Sequence, residues 1–281
     1  MRVRSLVRPA QAAEAARLGM RESAAFIAGG TALQLAWQEP WKSGDAQFDL
    51  VDVAGLAESD GVALRDDWLR IGAACKLEAL RRHPLVLEHA PILAAACEQI
   101  GALGVRNLAT LGGNVGWRFG DALAPLLALD AHAELADGEV LPLPVVLALP
   151  RLPLILALRL PPAAPGAWTL YEKAGLRAAF TPSRLALALH VAAASGPDAG
   201  QGLPYGPLRG LRIAAAGAGL AARRLREAEA LLEGSVPEDL NGGALRKSVR
   251  AACARDLPED ATRARLAARL ICGHLGGGDA Q

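Results

Sequence analysis

The chain has 281 residues, of which 52% are hydrophobic, and its 30 basic and 29 acidic side chains leave a formal net charge of +1. This length corresponds to about two domains of ordinary size, and the apolar content is enough for a substantial core. The balanced charge gives no electrostatic reason to expect nucleic acid or an anionic membrane as a partner.

Membrane and secretory signals are also missing from the sequence pattern. No segment reaches the roughly 18 uninterrupted apolar residues of a membrane span, because four prolines and Arg151 interrupt the most apolar run, residues 141–158. The N-terminus has arginines but neither the apolar region nor the cleavage site of a signal peptide. We therefore expect a soluble, cytoplasmic protein.

The four cysteines stand singly, at Cys75, Cys97, Cys253 and Cys272. This spacing favours buried, reduced thiols over a zinc site or an iron–sulfur cluster. Any cluster chemistry would then belong to a partner.

The first part of the chain predicts alternating helices and strands. The stretch PAQAAEAARLG predicts a helix closed by Gly19. AAFIAGGTALQLAWQ predicts a strand, a glycine turn and a helix, with Thr31 as a candidate N-cap. AQFDLVDV predicts a further strand.

The middle of the chain predicts a hairpin in GVALRDDWLRIGAAC, with its turn around RDD. A helical pattern runs from Lys76 through KLEALRRHP and PLVLEHAPILAAACEQIG. GDALAPLLALDA predicts a short helix that Asp121 would cap, and AHAELADGEVLPL and LPLILALRLPP predict strands. The proline-rich segment 161–166 is the best linker, so we expect a domain boundary near residue 165.

The remaining chain predicts a sheet followed by helices. Strands are expected in AWTLYEKAG, SRLALALHVAAA and LRIAAAGAG, and two or three helices follow, the last of them in EDATRARLAARLICGHL.

Two similar glycine pairs, in IAGGTAL and ATLGGNV, are the candidate ligand-binding segments. Each has an apolar lead-in, two adjacent glycines and a small polar residue. A turn explains either pair alone. Together they offer successive backbone N–H groups that no side chain covers, and two such loops could hold a pyrophosphate without a lysine.

In order along the chain, FIAGGTAL, HAPILAAACEQIGALGVRNLATLGGNV, DALAPLLALDA and YEKAG resemble the FAD-binding medium subunit of the molybdenum hydroxylases. That family includes xanthine dehydrogenase, carbon monoxide dehydrogenase and aldehyde oxidoreductases. The pair Arg106–Asn107 before the second glycine pair is typical of it, and the resemblance covers nearly the whole chain.

The resemblance implies a set of residues that bind FAD noncovalently. The first loop would wrap the pyrophosphate, and the second would meet it from the other side. Asp121 matches an acidic residue near the cofactor, and Ile155 matches a backbone contact on the adenine side. Lys173 matches a lysine close to the flavin. A helix cap and a solvated lysine are the plain alternatives for Asp121 and Lys173, and Ile100, at a position often near the flavin ring, is better explained as core. The implied FAD-binding residues are Phe26, Ile27, Ala28, Gly29, Gly30, Thr31, Ala32, Leu33, Thr110, Leu111, Gly112, Gly113, Asn114, Asp121, Ile155 and Lys173.

The sequence departs from the family in two places. Ala32 stands where an aspartate is common, and the segment VGWRFG after Asn114 is shortened and carries Trp117, Arg118 and Phe119 in place of small polar residues. Trp117 or Phe119 is a candidate to stack on the flavin, and Arg118 is a candidate to favour its anionic reduced form. The same change could instead close the acceptor site or weaken FAD binding.

Other interpretations stay open. Gly217, Gly219 and Ala222 satisfy GxGxxA, the dinucleotide fingerprint, but no second strand ending in Asp or Glu follows, so strand, turn and helix is expected there. A stand-alone flavin oxidase that tethers FAD through a histidine is disfavoured, because no histidine adjoins either glycine pair. A structural subunit that has lost its flavin remains possible.

We therefore predict an α+β fold of three parts: two FAD-binding subdomains of the PCMH type, residues 1–59 and 60–165, and a C-terminal sheet-plus-helices domain, residues 166–281. By resemblance, the chain is the FAD-carrying electron-transfer subunit of a heterotrimeric molybdenum hydroxylase. Molybdopterin would lie in a large partner subunit and [2Fe-2S] clusters in a small one, and the electrons would pass to NAD or another acceptor. No catalytic side chain and no metal ligand is expected on this chain.

Overall fold

The structure, a computed structural model, describes residues 2–37, 47–163, 165–175, 183–192 and 206–276. The chain forms two compact units, the first from residues 1–122 and 130–162 and the second from residues 123–129 and 163–281. The mixture of helices and sheets confirms the predicted α+β class. The predicted three-part division of the chain stays a prediction.

The first unit begins with a three-stranded parallel sheet. Its strands are β1 (Arg2–Val7), β2 (Ala24–Ile27) and β3 (Gln47–Asp52), in the order β1-β3-β2, with helix α1 (Ala12–Gly19) before β2 and helix α2 (Thr31–Trp37) after it. Helix α1 ends at Gly19 as predicted, and Thr31 is the first helical residue of α2 rather than the cap before it. Strand β1 was not predicted.

The other strands of this unit form a five-stranded antiparallel sheet. It comprises β4 (Val62–Arg65), β5 (Trp68–Gly72), β6 (His132–Leu135), β7 (Val140–Pro142) and β8 (Ile155–Leu160), in the order β4-β5-β8-β6-β7. The hairpin predicted around RDD is confirmed: Asp66 and Asp67 have φ values of 49° and 63°. Positive φ at both central residues is the requirement of a two-residue hairpin turn that matches the strand twist.

Short helices lie between β5 and β8. They are α3 (Leu77–Arg82), α4 (Pro84–His89), α5 (Pro91–Gln99), α6 (Leu103–Leu108), α7 (Leu111–Gly116), α8 (Leu123–Ala128), which belongs to the second unit, and α9 (Leu143–Ala148). Pro84 and Pro91 each open a helix and so break the long helical pattern predicted from Lys76. The residue before a proline is pushed out of the helical region, and Ala90 accordingly has φ −144°.

The second unit is an antiparallel sheet between helices. Its strands β9 (Trp168–Gly175), β10 (Ser183–Val191), β11 (Arg212–Gly217) and β12 (Leu220–Arg224) have the order β12-β11-β10-β9. Helices α10 (Arg226–Leu232), α11 (Gly243–Asp256) and α12 (Ala261–Gly276) share a buried cluster with Leu185, Leu187 and Leu189 of β10. The alanines of β10 and β11 are also fully buried, and α8 packs against these strands.

Strand β12 corrects the expectation for the GxGxxA segment. Gly217 and Gly219 lie at a hairpin between β11 and β12, and Ala222 lies within β12, which runs antiparallel to β11. A dinucleotide fingerprint requires a helix directly after the glycines. The segment is therefore strand, turn and strand, so the expectation of a helix directly after the turn was wrong.

Candidate functional site

A cavity of about 700 Å³ lies in the first unit. This volume is within the range of small-molecule and cofactor pockets. Its walls come from residues 24–33, from Ala73 and Ala74, from the start and end of α7, and from residues 150–155. Most of these side chains are small or apolar, so little side-chain bulk separates the cavity from the backbone.

The first glycine pair lies in the wall of this cavity with its whole predicted segment. The lining includes Phe26, Ile27, Ala28, Gly29, Gly30, Thr31, Ala32 and Leu33. Gly29 has no room for a side chain, because a Cβ atom there would lie 2.1 Å from the carbonyl oxygen of Leu108. Gly30 has φ +69°, a conformation that glycine adopts without steric cost. Both glycines are therefore required by the backbone path itself.

The next feature of this segment, which lines the cavity, is its backbone donors. Within the ranges that the structure describes, the N–H groups from Gly29 to Leu33 donate no hydrogen bond to protein acceptors. Residues 29–33 are half-buried, and Thr31, Ala32 and Leu33 form the first turn of α2, where N–H groups have no partner within the helix. A ligand with several acceptor oxygens, such as a pyrophosphate, would satisfy these donors.

The second glycine pair has a different role from the one predicted. It lies inside the first turn of α7, and the Thr110 hydroxyl caps this helix by accepting from the Gly113 N–H at 3.0 Å. The N–H groups of Leu111 and Gly112 donate to the carbonyls of Cys75 and Ala73, at 3.0 and 2.8 Å. The expectation that both pairs offer N–H groups to a ligand is therefore wrong for this pair.

Gly112 instead allows close packing. A Cβ atom at Gly112 would lie 2.7 Å from the Cβ of Ala73. Thr110, Gly112 and Gly113 line the cavity, whereas Leu111 is fully buried and is not among the described lining residues. The second pair thus supplies a part of the cavity wall that carries no side chains.

Asn114 and Asp121 organise the segment that follows α7. The Asn114 Oδ1 accepts from the backbone N–H of Ala122 at 3.1 Å, and Gly120 packs against the same amide group. Asp121 is buried two residues before α8. Neither Asn114 nor Asp121 is among the described residues that line the cavity.

The unusual residues 117–119 are held by the protein itself. Trp117 lines the cavity and makes an edge-to-face contact with Phe119, with ring centroids 6.3 Å apart. Arg118, at φ +63°, donates to the carbonyls of Leu147 and Leu149 at 2.8 and 2.6 Å. Because its guanidinium is directed to these carbonyls, the idea that Arg118 acts on the flavin charge has no geometric support.

The remaining predicted residues lie on different elements. Ile155, the first residue of β8, lines the cavity. Ile100 follows α5 and is half-buried. Lys173 lies on β9 in the second unit, opposite Ala186 of β10.

Sequence reasoning missed Arg151 and the wall formed by Ala73 and Ala74. Arg151 lines the cavity and donates through Nη2 to the carbonyls of Gly19, at 2.6 Å, and Ala24. A signal was present, since Arg151 is the only charge in the apolar run 141–158. The sequence carries no signal for the wall at Ala73 and Ala74, because this segment pairs with residues 110–112, which are distant in the chain.

Two further features bear on the function. Among the described residues, no group of three or more histidine, cysteine or acidic side chains is arranged to hold a metal ion. None of the helices in the described ranges is both long enough and apolar enough to cross a membrane.

Comparison with known families gives a match over residues 2–144, to the family described as FAD binding domain in molybdopterin dehydrogenase. The nicotinate dehydrogenase FAD-subunit of Eubacterium barkeri is 31% identical over 113 residues, which are 40% of this chain and 37% of that protein. The xanthine dehydrogenase FAD-binding subunit of Escherichia coli O157:H7 is 35% identical over 115 residues, which are 40% of this chain and 38% of that protein. The chain thus spans less than two-fifths of the length of these curated relatives.

Solved structures match the fold over nearly the whole chain. A carbon monoxide dehydrogenase structure from Hydrogenophaga pseudoflava aligns with a TM-score of 0.77 and 24% identity, over 98% of this chain and 96% of that chain. A quinoline 2-oxidoreductase structure from Pseudomonas putida 86 aligns with a TM-score of 0.72 and 18% identity, over 96% of this chain and 95% of that chain. These matches confirm the predicted fold, and the family match confirms the predicted FAD-binding domain.

Proposed function

We propose that this chain, which belongs to the family of FAD binding domains in molybdopterin dehydrogenases, holds FAD in the cavity of its first unit and serves as the electron-transfer subunit of a molybdenum hydroxylase. The observation that carries the proposal is the wall formed by residues 26–33. There a cavity of about 700 Å³ meets five successive N–H groups that have no acceptor in the described chain.

The residues present fit a dinucleotide of this kind. The N–H groups from Gly29 to Leu33 would hold the pyrophosphate oxygens, and Thr110, Gly112 and Gly113 would form the opposite wall. Ile155 would contact the adenine side, and Trp117 offers an apolar aromatic surface for the flavin ring. Leu111, Asn114, Asp121 and Lys173 stay predicted contributors, Asn114 through the loop that it holds.

The chemistry belongs to the cofactor, since FAD when bound exchanges electrons with both one-electron and two-electron partners. The side chains of this chain bind, orient and shield it. Arg118 contributes by anchoring its own segment, because it donates to the carbonyls of Leu147 and Leu149 at 2.8 and 2.6 Å.

The partners follow from the family. We infer a large subunit that carries molybdopterin and a small subunit that carries [2Fe-2S] clusters, with NAD or another acceptor receiving the electrons. The names of the relatives support this, because two of them are FAD subunits of larger dehydrogenases. A cytoplasmic location is part of the same proposal, and four buried free thiols support it.

The first experiment is an absorption spectrum of the purified chain, followed by heat release and identification of the flavin. We expect flavin bands and release of intact FAD, which would show noncovalent attachment. A colourless protein that takes up no added FAD would contradict the proposal and favour the flavin-free structural subunit. Turnover of a substrate by this chain alone would favour a stand-alone oxidoreductase.

A further inference from the structure

The most apolar run of the sequence divides between the core and the surface. Strand β8 at its end is largely buried, whereas residues 140–150 lie at the surface and are anchored by the buried side chains of Leu143 and Val146. This segment, VLPLPVVLALP, has no polar or ionisable side chain. Its exposed residues are Val140, Pro142, Pro144, Val145, Ala148, Leu149 and Pro150.

The exposed apolar side chains of this segment are large and follow one another. Val145 is 50% exposed, and Val140 and Leu149 are 38% and 37% exposed. They lie along strand β7, helix α9 and the residue after it. Single exposed apolar residues are ordinary on a protein surface, whereas a contiguous patch marks a place where another molecule docks.

The segment 117–119 extends this surface to the edge of the cavity. Arg118 joins the two segments, because its guanidinium donates to three carbonyls, those of Leu147, Leu149 and Pro150. Trp117 and Phe119 are half-buried and contact each other. Trp117 and Pro150 also line the cavity. A molecule that covers this surface therefore lies at the edge of the cavity.

The charges around this surface indicate what kind of molecule fits it. Along the chain, the ionisable residues next to it are Glu139 and Arg151. Arg118 and Arg151 donate to backbone carbonyls, and Glu134, opposite Val140, is paired with two arginines. A membrane-surface segment carries basic side chains beside its apolar ones, and a transient charged partner needs complementary charges. An apolar surface that includes a tryptophan and few charges is instead typical of the core of a permanent interface.

We propose that residues 140–150 with Trp117 and Phe119 form a docking face for a permanently bound subunit that presents an apolar, uncharged surface and exchanges electrons with the cofactor. The inference rests on the proposed function, because a redox partner at the cavity edge comes close to bound FAD. A stable interface uses roughly 20–30 residues on each side. The docking face is therefore the core of a larger contact, and polar residues around it form the rim.

The test uses the full-length chain, purified through an affinity tag together with the subunits that accompany it in its own cells. Val145→Asp and Leu149→Asp each place a carboxylate in the docking face. Leu87→Asp is the matched control, because Leu87 is also 50% exposed but lies on α4. Iron per chain reports the redox subunit, and flavin per chain reports the cofactor. Thermal melting checks that each variant folds, and hydrogen exchange of the wild type, with and without its subunits, reports direct contact at residues 143–149.

We expect iron per chain to fall at least about 10-fold in Val145→Asp and Leu149→Asp, because an unpaired carboxylate is strongly unfavourable inside an apolar interface. Leu87→Asp should keep the wild-type iron content. The amides of residues 143–149 should exchange more slowly in the complex than in the chain alone. Equal iron in all variants, or unchanged exchange in the wild type, would overturn the inference.

Other occupants of the docking face give different results. A wild-type dimer of this chain that Val145→Asp splits would assign the face to a second copy, and binding to phosphatidylcholine vesicles that Val145→Asp abolishes would assign it to a membrane. Either result would overturn the inference. A wild-type chain that holds FAD but carries no iron-containing subunit would overturn it as well and leave the FAD assignment standing. A chain that takes up no FAD would instead overturn the proposed function.

Discussion

Gly29 and Gly112 lack side chains for the same physical reason, although only one of them lies next to unused donors. At both positions a Cβ atom would collide with the backbone or Cβ of a residue far along the chain, Leu108 or Ala73. Among the described residues, the N–H groups from Gly29 to Leu33 donate to no protein acceptor, whereas those of Gly112 and Gly113 are used within the protein. Similar local sequences therefore leave backbone donors available at a cavity in one case and allow close packing in the other.

Substitution of Gly29 tests this at the scale of one residue. Gly29→Ala forces a methyl group to within 2.1 Å of the Leu108 carbonyl oxygen. We expect a loss of about 1–3 kcal/mol in the free energy of unfolding, typical of overpacking, and loss of bound flavin. Urea unfolding and the flavin-to-protein ratio measure the two effects.

The matched control is Gly104→Ala in helix α6. A Cβ atom there meets nothing within 4 Å, so the free energy of unfolding should rise by up to about 1 kcal/mol through helix propensity. A Gly29→Ala protein that keeps its flavin and unfolds at the wild-type urea concentration would contradict the account.

Helix α6, which leads to the second glycine pair, is held by an ion-pair network rather than by apolar burial. None of its residues is buried. Its Arg106 donates through Nε to Glu78 of α3 at 2.7 Å and through Nη1 to the carbonyl of Gly101 at 2.8 Å. Arg81 donates to the other Glu78 oxygen at 2.8 Å. Arg106 belongs to the residue pair that is typical of the family, and the structure shows that it joins α6 to Glu78 of α3.

This network predicts a pH dependence. Hydrogen bonds from Arg81 and Arg106 lower the pKa of the Glu78 carboxyl from its ordinary 4.5 to about 2. The stabilisation is therefore complete above pH 4.5, where the unfolded chain is also ionised, and is lost as pH falls through about 2. Glu78→Gln should lower the melting temperature by several degrees at pH 7, and the difference from wild type should shrink as the pH falls below 4.5.

Glu98→Gln is the matched control for the network. The Glu98 side chain is 65% exposed and meets Arg81 only at 3.4 Å, so its removal should leave the melting temperature nearly unchanged. Melting curves from pH 7 to pH 2.5 measure both variants. A difference between Glu78→Gln and wild type that stays constant over this range would count against the ionised carboxylate as its cause.

On the scale of the whole molecule, the chain enters the second unit twice: once briefly in its middle, and again for its C-terminal part. It leaves the first unit after Ala122 and returns at Asp130, and between them helix α8 belongs to the second unit. All six residues of α8 are buried, and it packs against β10, β11 and β12. The second unit is therefore incomplete without residues from the middle of the sequence.

Helix α8 should be a large contributor to the stability of the second unit. Leu126 is fully buried, and Leu126→Ala should cost about 2–5 kcal/mol, the usual range for removing a buried leucine. Leu87→Ala, at a side chain on α4 that is half exposed, is the control and should cost far less. Urea unfolding followed by circular dichroism measures both, and equal costs would refute the assignment of α8 to a core.

The sequence by itself determined the family, the FAD cofactor and most element types. These depend on local patterns: the alternation of β5, the proline and glycine ends of helices, and the order of the glycine motifs. Strand β1 and strand β12 escaped prediction, because an arginine-rich edge strand lacks a buried face and a GxGxxA segment resembles a helix start.

Only the tertiary structure decided which backbone N–H groups are used within the protein, which carbonyls Arg151 bonds to and which unit contains α8. Each depends on groups far apart in the chain, such as the Leu111 N–H and the Cys75 carbonyl, or Arg151 and Gly19. Whether a donor is satisfied is a property of its surroundings in space rather than of its neighbours in sequence. That is why two nearly identical glycine pairs could be found in the sequence but not told apart there.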